Sequence, residues 1–232
     1  MKLIHTTSLQ FHEFEKSSSR VPPYAILSHT WGDDEVTFRD MSLGPKKSTT
    51  KKKKGYEKIT QTCRLARENK LEYVWIDTCC IDKSSSAELS ESINSMFEWY
   101  ANSAVCYVFL FDYTLQELLA PKNLVFYDAR WKCVGTKDSR VNQIFDITQI
   151  DVSVLSDKSY ISQCPVSQRM SWAASRQTTR VEDEAYCLFG IFGIHLPLIY
   201  GEGRMAFRRL QEEIIKRIDG LPSPQRHSCA PE

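Results

Sequence analysis

Between residues 24 and 136, short apolar runs alternate with longer stretches whose apolar side chains recur every three or four positions. "YAILS" (24–28), "YVWI" (73–76), "VCYVFLF" (105–111) and "NLVFYD" (123–128) are the apolar runs. Short continuous runs of this kind suit strands buried on both faces. Between the first two, Ile59, Cys63 and Ala66 share one face beside Lys58, Arg64 and Arg67, which predicts an amphipathic helix over residues 56–70. Leu89, Ile93, Met96, Phe97, Tyr100 and Ala104 form the apolar stripe of a second helix, and Ser85 with Glu88 has the spacing of a capping box at its start. "TLQELLA" predicts a third, short helix stopped by Pro121. Strand and helix in strict alternation predict a parallel α/β sheet with helices on both faces.

The pattern loosens after residue 136. Helices are expected near residues 141–147, over 169–180 and 182–192, and over 204–218, where Phe207, Leu210, Ile214 and Ile218 share a face. This divides the chain into an N-terminal lead (1–23), an α/β core (24–136), a mostly helical extension (137–219) and a tail (220–232). "KKSTTKKKKG" (46–55) reads as a solvated lysine-rich insertion, with a nuclear-localisation or phosphate-binding segment as the alternative.

Composition narrows the class. Of 232 residues, 42% are hydrophobic and 25% charged, which suits a packed soluble core. A net charge of +1 argues against a protein that coats nucleic acid or an anionic membrane. The eight cysteines include no C-x-x-C and the five histidines no H-x-x-x-H, so no metal site is expected. Cysteines inside apolar runs behave as small hydrophobes, which points to a reducing, cytoplasmic setting. The N-terminus lacks the apolar core of a secretory signal. The most apolar stretch, residues 185–200, contains His195 and Pro197 and is shorter than the ~20 residues of a bilayer span.

Chemistry concentrates at the predicted strand ends, where open parallel sheets keep their ligand crevice. Strand one runs into Ser28, His29, Thr30, Trp31 and Gly32; strand two into Asp77, Thr78, Cys79, Cys80, Ile81 and Asp82; strand three into Asp112, with Glu117 following. A loop that only had to turn would use Gly, Asn, Asp or Pro. Structural alternatives stand beside each candidate. Trp31 serves equally as a cap on the core, His29 as a satisfied core histidine, and Asp77 and Asp82 as Asx turns. Thr114 to Glu117 is itself a capping-box pattern. A nucleophilic Cys80 would need a histidine partner and a lowered pKa. Farther on, Arg176 and Arg180 precede an acidic run, Glu182 to Glu184, and suggest surface ion pairs. "YGEGR" (200–204) reads as a turn before the last helix; it carries neither nucleotide-binding glycine fingerprint.

"YAILSHTWGDDEVTF", "GYEKI", "YVWIDTCCIDKSSSAELSESINSMFEWY", "TLQELLAP", "RMSWAASRQTTRVEDEAYCLFGIFGIHLPLIYGEG" and "AFRRLQEEI" together resemble the fungal heterokaryon incompatibility (HET) domain, of the type found at the N-terminus of vegetative incompatibility proteins. The resemblance covers residues 24–217. It implies a flavodoxin-like, TIR-like fold and a role in non-self recognition and programmed cell death, working through self-association or an upstream receptor protein. It further implies NAD⁺ cleavage, with NAD⁺ as substrate and no resident cofactor. Glu117 takes the position of the TIR glutamate and Tyr113 that of the tryptophan which often stands four residues before it. Ser28, His29, Trp31, Gly32, Asp77 and Asp82 are then candidates for binding the nucleotide. The family pattern has a longer segment, with an arginine and aromatics, between the third strand and "TLQEL"; here "YVFLFD" runs directly into "YTLQELLAP". A catalytically inactive or truncated module, acting only by self-association or docking, is therefore the alternative to an NAD⁺ nucleosidase.

Overall fold

The computed structural model describes residues 1–14, 21–110, 113–174 and 178–219. Among these, seven strands form one sheet: β1 Lys2–His5, β2 Phe11–Glu13, β3 Tyr24–His29, β4 Tyr73–Ile76, β5 Val105–Phe109, β6 Leu124–Tyr127 and β7 Cys133–Thr136. Their spatial order is β2-β1-β4-β3-β5-β6-β7. The helices of the sheet region are α1 Phe38–Leu43, α2 Ser48–Lys51, α3 Tyr56–Glu68, α4 Asp77–Cys80, α5 Ser86–Asn102 and α6 Leu115–Leu119. Those after it are α7 Val141–Thr148, α8 Val152–Ser156, α9 Val166–Ser171, α10 Asp183–Tyr186, α11 Phe189–Phe192 and α12 Met205–Asp219. None of the described helices is long and apolar enough to cross a membrane.

The four predicted strands pair in parallel, β4 with β3, β3 with β5 and β5 with β6. Counted among themselves in chain order they run 2-1-3-4, the flavodoxin-like order, whose crevice opens where the first and third strands diverge. Here that point lies between β3 and β5, beyond the register pairs Ser28 with Val108 and His29 with Phe109.

The sheet is mixed rather than purely parallel. The residues expected as a lead fold into β1 and β2, which extend the sheet past β4 as an antiparallel pair. Leu3 and Ile4 are both fully buried, so this strand has no alternation to announce it. At the far edge β7 turns back along β6. The turn is held by Asp128 Oδ1, which accepts the backbone N–H groups of Arg130 and Lys132 at 2.9 Å each. The lysine-rich segment is not wholly a solvated loop. It contains α2, and Lys53 docks on Asp40 Oδ2 at 2.6 Å and on the Glu35 carbonyl at 3.1 Å.

The extension covers the α5–α6 side of the sheet through side-chain bonds to backbone. Asn94 on α5 both donates to the Leu196 carbonyl (3.0 Å) and accepts its N–H (3.1 Å). Gln116 on α6 donates to the Cys187 carbonyl at 2.7 Å. The helix expected over 182–192 is broken into α10 and α11, because backbone conformation there follows tertiary contacts. That expected over 169–180 starts earlier, after Pro165, and ends at Ser171; part of its range, with Arg176, lies outside the described residues, as does the tail from 220. Among the described residues the acidic run is engaged internally rather than in surface ion pairs. Glu182 Oε1 accepts the N–H groups of Gly201 (2.8 Å) and Gly203 (3.0 Å), and Asp183 accepts the Tyr200 hydroxyl at 3.0 Å. The "YGEGR" turn is thus filled by an internal carboxylate. Gly201 sits at φ +100°, a region side chains rarely adopt. Gly201→Ala is expected to lower stability by about 1 kcal/mol or slightly more, measured as a shift in denaturant midpoint.

Candidate functional site

At the divergence of β3 and β5, alternation along β3 sends Ser28 and His29 to opposite faces of the sheet. Ser28 faces α5 and α6. Its Oγ is fully buried and makes no hydrogen bond of good geometry, yet it lies near enough to Glu117 to favour the ionised carboxylate. Glu117 stands in the first turn of α6 because Thr114 caps that helix. Thr114 donates its N–H to Glu117 Oε2 at 2.5 Å, and Oε1 accepts the Tyr100 hydroxyl from α5 at 3.0 Å. The glutamate is enclosed by protein yet keeps partial solvent access. Burial pushes its pKa above the usual carboxylate value against the pull of the Thr114 amide, and the nearby Asp77 charge pushes the same way. Ser28, Asp77 and Glu117 thus meet at one rim.

On the other face, His29 and Asp77 form an ion pair, Nε2 to Oδ1 at 3.2 Å, off the line of a good hydrogen bond. Burial opposes both charges. The histidine is nevertheless raised, through its contact with Asp77, and the aspartate lowered, through its contact with His29. His29 Nδ1 lies 3.1 Å from both the Thr30 carbonyl and Lys58 Nζ, and Lys58 is paired with Glu35. With its side chain only 1% exposed and both ring nitrogens turned to protein groups, His29 positions Asp77 rather than touching a ligand.

Trp31 carries the site outward. Its Nε1 donates to Asp77 Oδ2 at 2.7 Å, while the indole is 53% exposed. Beyond it lies a groove of about 650 Å³ lined by Gly32, Arg39, Ile81, Asp82 and Lys83, among others. Gly32 and Asp82 belong to the groove rather than to the crevice. The Gly32 N–H is taken by Glu35 (2.9 Å), and Asp82 Oδ1 accepts both the N–H (3.0 Å) and the hydroxyl (2.6 Å) of Ser84 as an Asx turn. A second cavity of about 610 Å³, walled by Pro22, Tyr24, Trp99 and His195, lies at the opposite, amino end of β3 and away from this chemistry. Cys80 is no nucleophile: burial raises its thiol to about 12. Asp112 lies outside the described residues.

Sequence reasoning did not single out Tyr100, Glu35, Lys58 or Lys83 as site residues. Tyr100 sat in an apolar stripe and passed for core, though a buried phenol needs a partner. The others are long charged side chains whose targets depend on the fold.

With this geometry in place, comparison with known proteins is informative. The family described as heterokaryon incompatibility protein (HET) matches residues 24–184. The chain is 43% identical over 229 residues to vegetative incompatibility protein HET-E-1 of Podospora anserina, a match taking in 86% of this chain and 16% of that protein. No solved structure matches.

Proposed function

This chain belongs to the heterokaryon incompatibility (HET) family, and on that premise we propose that it acts in fungal non-self recognition, as the name of its vegetative incompatibility relative suggests. Its output is programmed cell death, driven by TIR-like cleavage of NAD⁺ between nicotinamide and ribose in the cytoplasm. The observation that carries the chemistry is Glu117, held at the strand divergence by Thr114 and Tyr100 with Ser28 beneath it. As nicotinamide leaves with the bonding electron pair, positive charge builds on the ribose. An adjacent carboxylate stabilises that oxocarbenium character. Water then adds to the anomeric carbon and releases a proton, giving ADP-ribose. Asp77, fixed by His29 and Trp31, holds a second negative charge at the same rim.

A second reading, a module that works only by self-association or by docking on an upstream receptor, is favoured by one feature. Both Glu117 oxygens already have protein partners, and the groove beside Trp31 does not reach them. Purified protein incubated with NAD⁺ separates the two. Nicotinamide release is expected from the wild type and is expected to fall roughly 10- to 100-fold in Glu117→Gln, about the size of losing one electrostatic stabiliser. Equal release by both proteins removes Glu117 from the mechanism. No release at any state of assembly favours the docking module.

A further inference from the structure

We propose that the lysine-rich segment around α2 docks this protein peripherally on an anionic lipid surface, with Leu43 entering the interface among the ammonium groups. The chain's net charge of +1 conceals an uneven distribution. Residues 41–56 contain six lysines and no acidic residue. Lys53 turns inward, to Asp40 and the Glu35 carbonyl. Lys46, Lys47, Lys51, Lys52 and Lys54 are exposed and have no carboxylate within salt-bridge distance among the described residues. The unneutralised acids around them are Glu57, at the start of α3, and Asp33, Asp34 and Asp82 of the adjoining groove, where Arg39 and Lys83 stand against them. Cations therefore outnumber acids over this whole surface.

The segment is held in a fixed pose against the body of the protein. Thr50 is buried, and its hydroxyl donates to the Gly44 carbonyl at 3.2 Å. Asp34 accepts the Lys54 N–H on its side chain at 2.9 Å and the Gly55 N–H on its carbonyl at 3.0 Å. With one side tied down, the five ammonium groups are left to solvent. Leu43, 58% exposed at the end of α1, lies beside them: the Lys47 methylenes run along the next residue, Gly44, within 3.0–3.2 Å of where a Cβ would stand. The chemistry of the surface selects lipid. Ammonium groups on flexible stems are point charges, suited to a diffuse anionic layer rather than to bidentate capture of one phosphate. A large apolar side chain among them supplies the second attraction that peripheral membrane binding uses. Residues 39–55 hold no aromatic ring on which a nucleic-acid base could stack, and α2, four residues long, offers no helix for a duplex groove. The proposal is independent of the NAD⁺ chemistry.

Vesicle flotation with the full chain provides the test. Binding to phosphatidylcholine vesicles that contain phosphatidylserine is expected to be about tenfold or more tighter than to phosphatidylcholine alone, and to weaken as salt rises. Lys51→Gln combined with Lys52→Gln is expected to weaken it about 10- to 30-fold, since each lysine near such a surface contributes roughly fivefold. Lys122→Gln combined with Lys132→Gln makes the same change in net charge at exposed positions elsewhere, and is expected to leave binding within about twofold of wild type. Leu43→Ser is expected to weaken binding several-fold while keeping its salt dependence. All these side chains are exposed, so each variant is expected to melt as the wild type does. Equal binding to both vesicles, an equal loss in the Lys122 and Lys132 pair, or a Leu43→Ser protein that binds as wild type overturns the assignment. So does tighter binding of single-stranded RNA than of the mixed vesicles at the same ionic strength, which would give the lysines to nucleic acid.

Discussion

Gly190→Ala is expected to lower the unfolding free energy by about 3 kcal/mol, the upper end for overpacking a tight contact. At this chain length that is a Tm drop of roughly 6–12 °C. A Cβ at Gly190 on α11 would run into the Cβ and ring of Phe97 on α5. The contact sits where the extension clamps the sheet region, between the Asn94–Leu196 and Gln116–Cys187 bonds. Neither side yields cheaply. Phe97 is anchored on a 17-residue helix, and α11 ends within a turn at Gly193, φ +63°. Because α5 also carries Tyr100, a loosened α11 propagates toward Glu117. A double-mutant cycle checks the cause: in a Phe97→Gly background, which removes the Cβ as well as the ring, the same Gly190→Ala change is expected to cost much less, giving a coupling energy of about 1 kcal/mol or more. Additive effects would place the strain elsewhere.

The parallel core was readable because its signals are local. Ile26 and Leu27 lie in a run that is buried on both faces, and Ile59, Cys63 and Ala66 repeat at helical spacing, so each element declares its own type. β1 and β2 were not readable. Leu3 and Ile4 are buried by neighbours that arrive from far along the chain, and strands this short carry little pattern. The break between α10 and α11 was hidden for a related reason: apolar residues 185–192 read as helix, whereas the Glu182 cradle and the Gly190–Phe97 approach set the backbone from outside. For the site, strand order did the work. Once β3 lies between β4 and β5, Ser28 and Asp77 share one edge of the sheet, and Asp77 is near enough there for its charge to act on Glu117. The division of labour was not legible. That His29 is buried while Trp31, two residues on and also turned to Asp77, is exposed follows from the strand ending at His29 and from one indole bond beyond it.

Asp77→Ala tests that convergence most severely, with an expected loss of about 3–5 kcal/mol, the cost of stranding a buried charge. Removing the carboxylate leaves His29, 1% exposed, beside the Lys58 ammonium with only Glu35, 3.9 Å away, to offset it, and deprives Trp31 Nε1 of its acceptor. The pH dependence carries the sharper signature. In the wild type the folded pKa of His29 lies above 6.5, so its contribution is present below that pH and fades as pH rises through the folded value. Asp77, held below its usual value, contributes above about pH 4 and loses that contribution as acid protonates the folded form. The pair is therefore strongest between these limits. In Asp77→Asn, which keeps the shape and removes the charge, burial and Lys58 dominate and drive the histidine pKa below 6.5. The unfolded chain then takes up the proton more readily than the folded one, so stability rises rather than falls as pH climbs through that region. Denaturant titrations of both proteins from pH 5.5 to 8 read this directly: the difference between them should narrow steadily with rising pH. A difference that stays constant would mean His29 is neutral in the native protein, leaving Asp77 anchored by the Trp31 indole instead.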